Sequence, residues 1–74
     1  MDHSVVYIMK IKGVNNMPDS LQVRDADFTL IGYYRADKPE TAKALLERGK
    51  SEAVIKEFIA SAPYGRLIEI STEE

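Results

Sequence analysis

The chain has 74 residues, no cysteine, one histidine and a formal net charge of −2 at neutral pH. A chain of this size buries only about 60% of the surface its unfolded form exposes, and without cysteine neither disulfides nor thiolate metal sites can add to its core. The acidic balance gives no overall field to draw the protein to nucleic acid or anionic lipid.

The N-terminal residues Met1-Asp2-His3-Ser4 lack a basic region followed by an apolar run of signal-peptide length. No apolar segment approaches the roughly 20 residues that span a bilayer. The expectation is a cytoplasmic protein forming one domain over residues 1–74, with no membrane partner.

Ser4–Lys12 is the first predicted strand. Alternation puts Val5, Tyr7, Met9 and Ile11 on one face, and Val6 and Ile8 on the other, followed there by Lys10 and Lys12. A strand apolar on both faces over its first half belongs in the middle of a sheet. Gly13–Ser20 is a loop of turn formers, too long for a tight hairpin. Leu21–Arg24 is a short edge strand or an extended arm, interrupted by Asp25-Ala26-Asp27. Asp27–Arg35 is the next strand, with Phe28, Leu30, Gly32 and Tyr34 on one face and Thr29, Ile31, Tyr33 and Arg35 on the other. Gly32 inside it marks a bulge or a close backbone approach.

Asp37-Lys38-Pro39-Glu40 reads as a helix start, with Asp37 as cap, Glu40 completing a capping box and Pro39 in the first turn. Pro63 stops the helical region, because the residue before proline is pushed out of helical geometry. Between these ends the apolar stripe changes phase. Ala42, Leu45, Leu46, Gly49 and Ala53 share one side, and Val54, Ile55, Phe58, Ile59 and Ala62 another. The spacing predicts two helices, about Lys38–Arg48 and Glu52–Ser61, broken at Gly49-Lys50, with Ser51 as the second N-cap. The rival is one continuous helix buried on two sides. Arg66–Thr72 is the last strand, with Ile68 and Ile70 on one face and Leu67 and Glu69 on the other. Ser71–Glu74 is a frayed tail.

The order β–(β)–β–α–α–β predicts an α+β fold: a three- or four-stranded, mostly antiparallel sheet with the helices on one face. One helical layer leaves the other sheet face bare, and a second copy of the chain is the simplest cover. A homodimer follows as an expectation.

Chemistry-bearing clusters are sparse. His3 is a lone terminal histidine that nothing orients. Asp19, Asp25 and Asp27 match no calcium loop, and turn chemistry is the preferred reading. No phosphate loop is present, and no catalytic residue, metal site or cofactor is assigned. The best ligand- or partner-binding candidates are Tyr7, Tyr33, Tyr34 and Arg35. Val6–Ile11 resembles the first-strand motif of RNA-recognition domains. Their second motif is not matched by Phe28–Arg35, and the strand–helix order differs, so the aromatics are read as core and interface groups.

Phe58-Ile59-Ala60-Ser61-Ala62-Pro63-Tyr64 resembles the end of the last helix in YciI-like members of the dimeric α+β barrel superfamily. The resemblance covers well under a third of the chain. It implies a dimer joined through sheet faces. The histidine and aspartate read as catalytic in that family sit in a first helix that this chain lacks, so no site residue is carried over.

Three functions are weighed. The first is a non-catalytic homodimeric regulatory or adaptor protein acting through protein–protein interaction. The second is a small-molecule binder or minor enzyme of dimeric α+β barrel type. The third, disfavoured by the acidic balance, is a single-stranded nucleic-acid binder.

Overall fold

The computed structural model describes residues 5–71, so His3 and the ends of the first and last predicted strands lie outside the described residues. The elements are β1 (Val5–Ile11), β2 (Ser20–Arg24), β3 (Leu30–Arg35), a 3-10 turn (Pro39–Thr41), α1 (Lys43–Leu46), α2 (Glu52–Ser61) and β4 (Leu67–Ser71). The strands form one sheet in the order β3-β2-β1-β4, with every neighbouring pair antiparallel. The fold is α+β, as the element order predicts.

The centre of the sheet differs from expectation. Leu21–Arg24, predicted as an edge strand or an arm, lies inside the sheet as part of β2, between β1 and β3. Its Leu21 and Val23 are fully buried. A five-residue strand with only two apolar side chains looks marginal in sequence. Hydrogen bonds on both edges and complete burial of those two side chains offset its shortness. The edges are β3 and β4.

The second correction concerns β3. It starts at Leu30, and Asp27–Thr29 belong to the preceding loop. Val23 pairs with Gly32 while Arg24 pairs with Leu30, so Ile31 is an extra residue, a β-bulge. The bulge reverses the face parity before it. Phe28 and Leu30 do not share a face with Gly32 and Tyr34 but lie on the side of Tyr33 and Arg35. Ile31 turns toward the core.

The helical face of the sheet carries Val6, Ile8, Leu21 and Val23, with Tyr34, Ile68 and Ile70 at its margins. Ala42, Ala44, Leu45 and Ile55 close over them from the helical segments. The helical region breaks at Gly49, as the phase change predicts. Gly49 has φ 87°, Lys50 N–H bonds to the Leu45 carbonyl and Gly49 N–H to that of Leu46, the double bond pattern of a Schellman stop. Ser51 Oγ then accepts the Val54 N–H at 3.2 Å and caps α2. Two packing directions therefore come from two helices, and the continuous-helix alternative is excluded.

The first helix is much shorter than Lys38–Arg48. Ala42 leaves helical geometry (φ −80°, ψ 71°), which splits it into a 3-10 turn and a single-turn α1. Pro39 and Ala42 are both drawn into the interior, and that packing overrides the local helix preference. Asp37 does not cap it. Its carboxylate is bidentate with Arg35, at 3.0 Å from Nε and 2.7 Å from Nη2. Ser71, predicted to fray, is the last residue of β4.

Candidate functional site

The sheet face opposite the helices has no covering element among the described residues. Pairing arranges most of its side chains in three cross-strand rows. Glu69, Tyr7, Arg24 and Leu30 form the first, and Leu67, Met9, Gln22 and Tyr33 the second. Ile11, Ser20 and Arg35 form the third. An apolar and aromatic band crosses the middle, from Leu67 through Met9 to Tyr33, interrupted only by Gln22. Tyr33 is 58% exposed and Phe28 53%.

Phe28 reaches this face from the β2–β3 loop, and the loop is built to put it there. Asp25 Oδ1 accepts the N–H groups of Asp27 and Thr29, at 2.9 and 3.0 Å. Phe28 N–H bonds to the Asp25 carbonyl, and Arg24 Nη1 donates to the Phe28 carbonyl at 2.9 Å. The residue is held at φ 65°, a left-handed conformation costly for an aromatic side chain. Its ring lies against Tyr7, with centroids 4.5 Å apart and planes tilted by 32°. Local strain thus extends an exposed apolar surface, opposite to what folding stability alone would select.

Of the four residues singled out in the sequence, Tyr7, Tyr33 and Arg35 share this face. Tyr34 does not. It points to the helical side, where its hydroxyl oxygen accepts the Ala44 N–H at 2.9 Å. Arg35 lies at the margin in its pair with Asp37. Hydrogen bonding to Arg35, reinforced by its charge, holds the Asp37 carboxyl below the usual carboxylate range, and the same pairing raises Arg35. Phe28 is not among the four, which are singled out for their polar groups, and the bulge that moves it to this side is invisible to strict alternation. The Asp25 turn chemistry is the one signal of it in the sequence.

A second polar cluster sits on the other side, where the β1–β2 loop meets the α2–β4 turn. Lys10 is 6% exposed, donates from Nζ to the Ile59 carbonyl at 2.7 Å and lies 4.4 Å from the Tyr64 ring centroid. A cation at the last turn of α2 complements the helix dipole. Asp19 accepts the Gly13 N–H at 2.8 Å and the Tyr64 hydroxyl at 2.7 Å. The Gly13 bond, then Tyr64, depresses the Asp19 pKa, while the bond to Asp19 raises that of Tyr64. Beside it is an open depression of about 360 Å³ lined by Met17, Pro18, Asp19, Ala36, Asp37 and Ile59. Each polar group of the cluster is engaged in holding loop, strand and helix end together. Among the described residues no three His, Cys, Asp or Glu side chains converge as a metal site.

No family model, curated protein or solved structure matches the chain. The connection between β1 and β2 is a helix-free loop, so the first helix of the α+β barrel family has no counterpart there.

Proposed function

We propose that this protein is a small non-catalytic regulatory or adaptor module that works as a homodimer, joined through its open sheet face. The observation that carries the reading is the loop geometry that holds Phe28 at positive φ against Tyr7, beside exposed Leu30, Tyr33 and Leu67. In a small domain with a marginal core, burying such a surface against a second copy adds the apolar contact that one helical layer cannot supply. The helices and the depression beside Asp19 stay available to another protein. The reading includes a cytoplasmic location; among the described residues no helix is long and apolar enough to cross a membrane.

The same face groups Tyr7, Phe28 and Tyr33 with Arg24 and Arg35, which is the kind of surface that stacks single-stranded nucleic acid. Three features weigh against that use. Phe28 occupies one side of the Tyr7 ring, Asp37 neutralises Arg35, and the chain is acidic.

Light scattering on the size-separated full chain over a concentration series tests the reading. A mass of twice 8.3 kDa is expected. A monomer at every concentration overturns it, and oligonucleotide binding that weakens as salt rises would move the face to the nucleic-acid reading.

A further inference from the structure

The open face is self-complementary in charge, and that selects one arrangement of two copies. The inference rests on the homodimer reading above. A two-fold axis between stacked sheets covers all four strands in two ways. Running across the strands, it stacks each strand on its own copy and reverses the order of the rows. Running along the strands between β1 and β2, it places β1 on β2 and β3 on β4, and keeps each row over its own counterpart.

The rows decide between them. With the axis across the strands, the first row falls on the third. Arg24 then meets Ser20 of the partner subunit, Arg35 meets the partner's Leu30, and no guanidinium gains a new carboxylate. Arg35 keeps its own Asp37 there, but Arg24 is covered with no carboxylate beside it, which is costly. With the axis along the strands, Arg24 falls on the partner's Tyr7–Phe28 ring pair, one strand, or about 4.8 Å, from the partner's Glu69. A guanidinium over an aromatic face beside a carboxylate is favourable on both counts. In the same arrangement Leu67 falls on the partner's Tyr33 and Glu69 on the partner's Leu30, where the neighbouring guanidinium of the partner's Arg24 offsets the burial of the carboxylate. Extended Arg and Glu side chains together bridge the roughly 10 Å between stacked sheets. Within one chain, among the described residues, Glu69 has no ion pair and the Arg24 guanidinium donates only to the Phe28 carbonyl and, at 3.5 Å, to Gln22.

We propose that the protein forms a two-fold, face-to-face dimer whose axis runs along the strands between β1 and β2, each Arg24 resting on the Tyr7–Phe28 ring pair and pairing with Glu69 of the partner subunit. The two-fold repeats the pair, so one substitution acts twice in each dimer.

A charge exchange tests this. Arg24→Glu and Glu69→Arg are made separately in the full chain, and masses are measured by sedimentation equilibrium. Each variant alone brings like charges together and is expected to raise the dimer dissociation constant about a hundredfold. In an equimolar mixture, an Arg24→Glu chain and a Glu69→Arg chain meet with opposite charges at both contacts, and a dimer, now mixed, is expected to return. Circular dichroism checks that each variant is folded. A wild-type dimer that both single variants leave intact, or that the mixture fails to restore, overturns this arrangement while the homodimer stands. A monomeric wild type overturns both.

Discussion

The Tyr34 hydroxyl reaches the Ala44 backbone N–H, at 2.9 Å, only because its ring lies along β3 over the empty side-chain position of Gly32. Ala42, at the N-cap of α1, has no side-chain oxygen to offer, so a residue from the sheet supplies the missing acceptor. Gly32 is therefore part of a helix cap ten residues further along the chain.

A Cβ at position 32 would overlap the Tyr34 ring. Gly32→Ala must push the ring away and break its bond to Ala44, and is expected to cost about 1–3 kcal/mol. Tyr34→Phe should cost about 1 kcal/mol. Urea unfolding of both and of the double variant gives the test: if Gly32 acts through the hydroxyl, the two losses are not additive. Full additivity would refute the link.

Lys10 should matter through the end of α2. Lys10→Met leaves the half-buried Ile59 carbonyl without its donor and removes the cation over Tyr64, for an expected loss of about 1–3 kcal/mol. Lys10 faces the helices, so the loss should appear in the urea midpoint, with no change in association beyond what unfolding explains. A variant as stable as wild type would contradict this role.

These two sites show what the sequence does and does not disclose. Alternation along β1 and β4 and the glycine–serine break before α2 are legible, because each depends on neighbours in the chain: Gly49 supplies the positive φ, and Ser51 the cap. The interior position of β2, the split at Ala42 and the roles of Tyr34 and Lys10 depend on contacts between segments far apart in sequence. The bulge at Ile31 lies between. Gly32 signals an irregularity, but only the pairing of Arg24 with Leu30 shows which side Phe28 takes. The open face is legible as an apolar surplus; its aromatic pair is not.

The Asp19–Tyr64 contact predicts a stability loss at each end of the pH range. Asp19 has a folded pKa below its unfolded value, so its contribution is present above the unfolded value and is lost as pH falls through the folded one. Tyr64 has a folded pKa raised above its unfolded value, so its share is present below the unfolded value and is lost as pH rises through the folded one. Asp19→Asn keeps an oxygen for Gly13 but has no charge to lose. Below about pH 4 its melting temperature should fall less steeply with pH than that of wild type. Equal acid slopes would remove Asp19 from the account.

Gly49 has open space where a Cβ would go, so any cost of substitution there is conformational. Gly49→Ala should lose about 1–2 kcal/mol at φ 87°, and Gly49→Asn less, since asparagine tolerates the left-handed region. Equal losses for the two in thermal unfolding would mean that the stop is held by packing and not by backbone freedom.

Phe28 separates folding from association. Phe28→Gly relieves the positive φ but removes the ring from Tyr7 and from the open face. Below the dimer dissociation constant, the variant should therefore melt close to wild type. If the wild type dimerises as proposed, it should gain stability by mass action at high concentration, and the variant should gain much less. Tyr33→Asp, at a position 58% exposed, should behave likewise without touching the loop. Melting temperatures against protein concentration decide the matter. Rising curves of equal slope for all three proteins would mean that association uses another surface, and flat curves for all three would mean that the strain at Phe28 serves something other than a second copy.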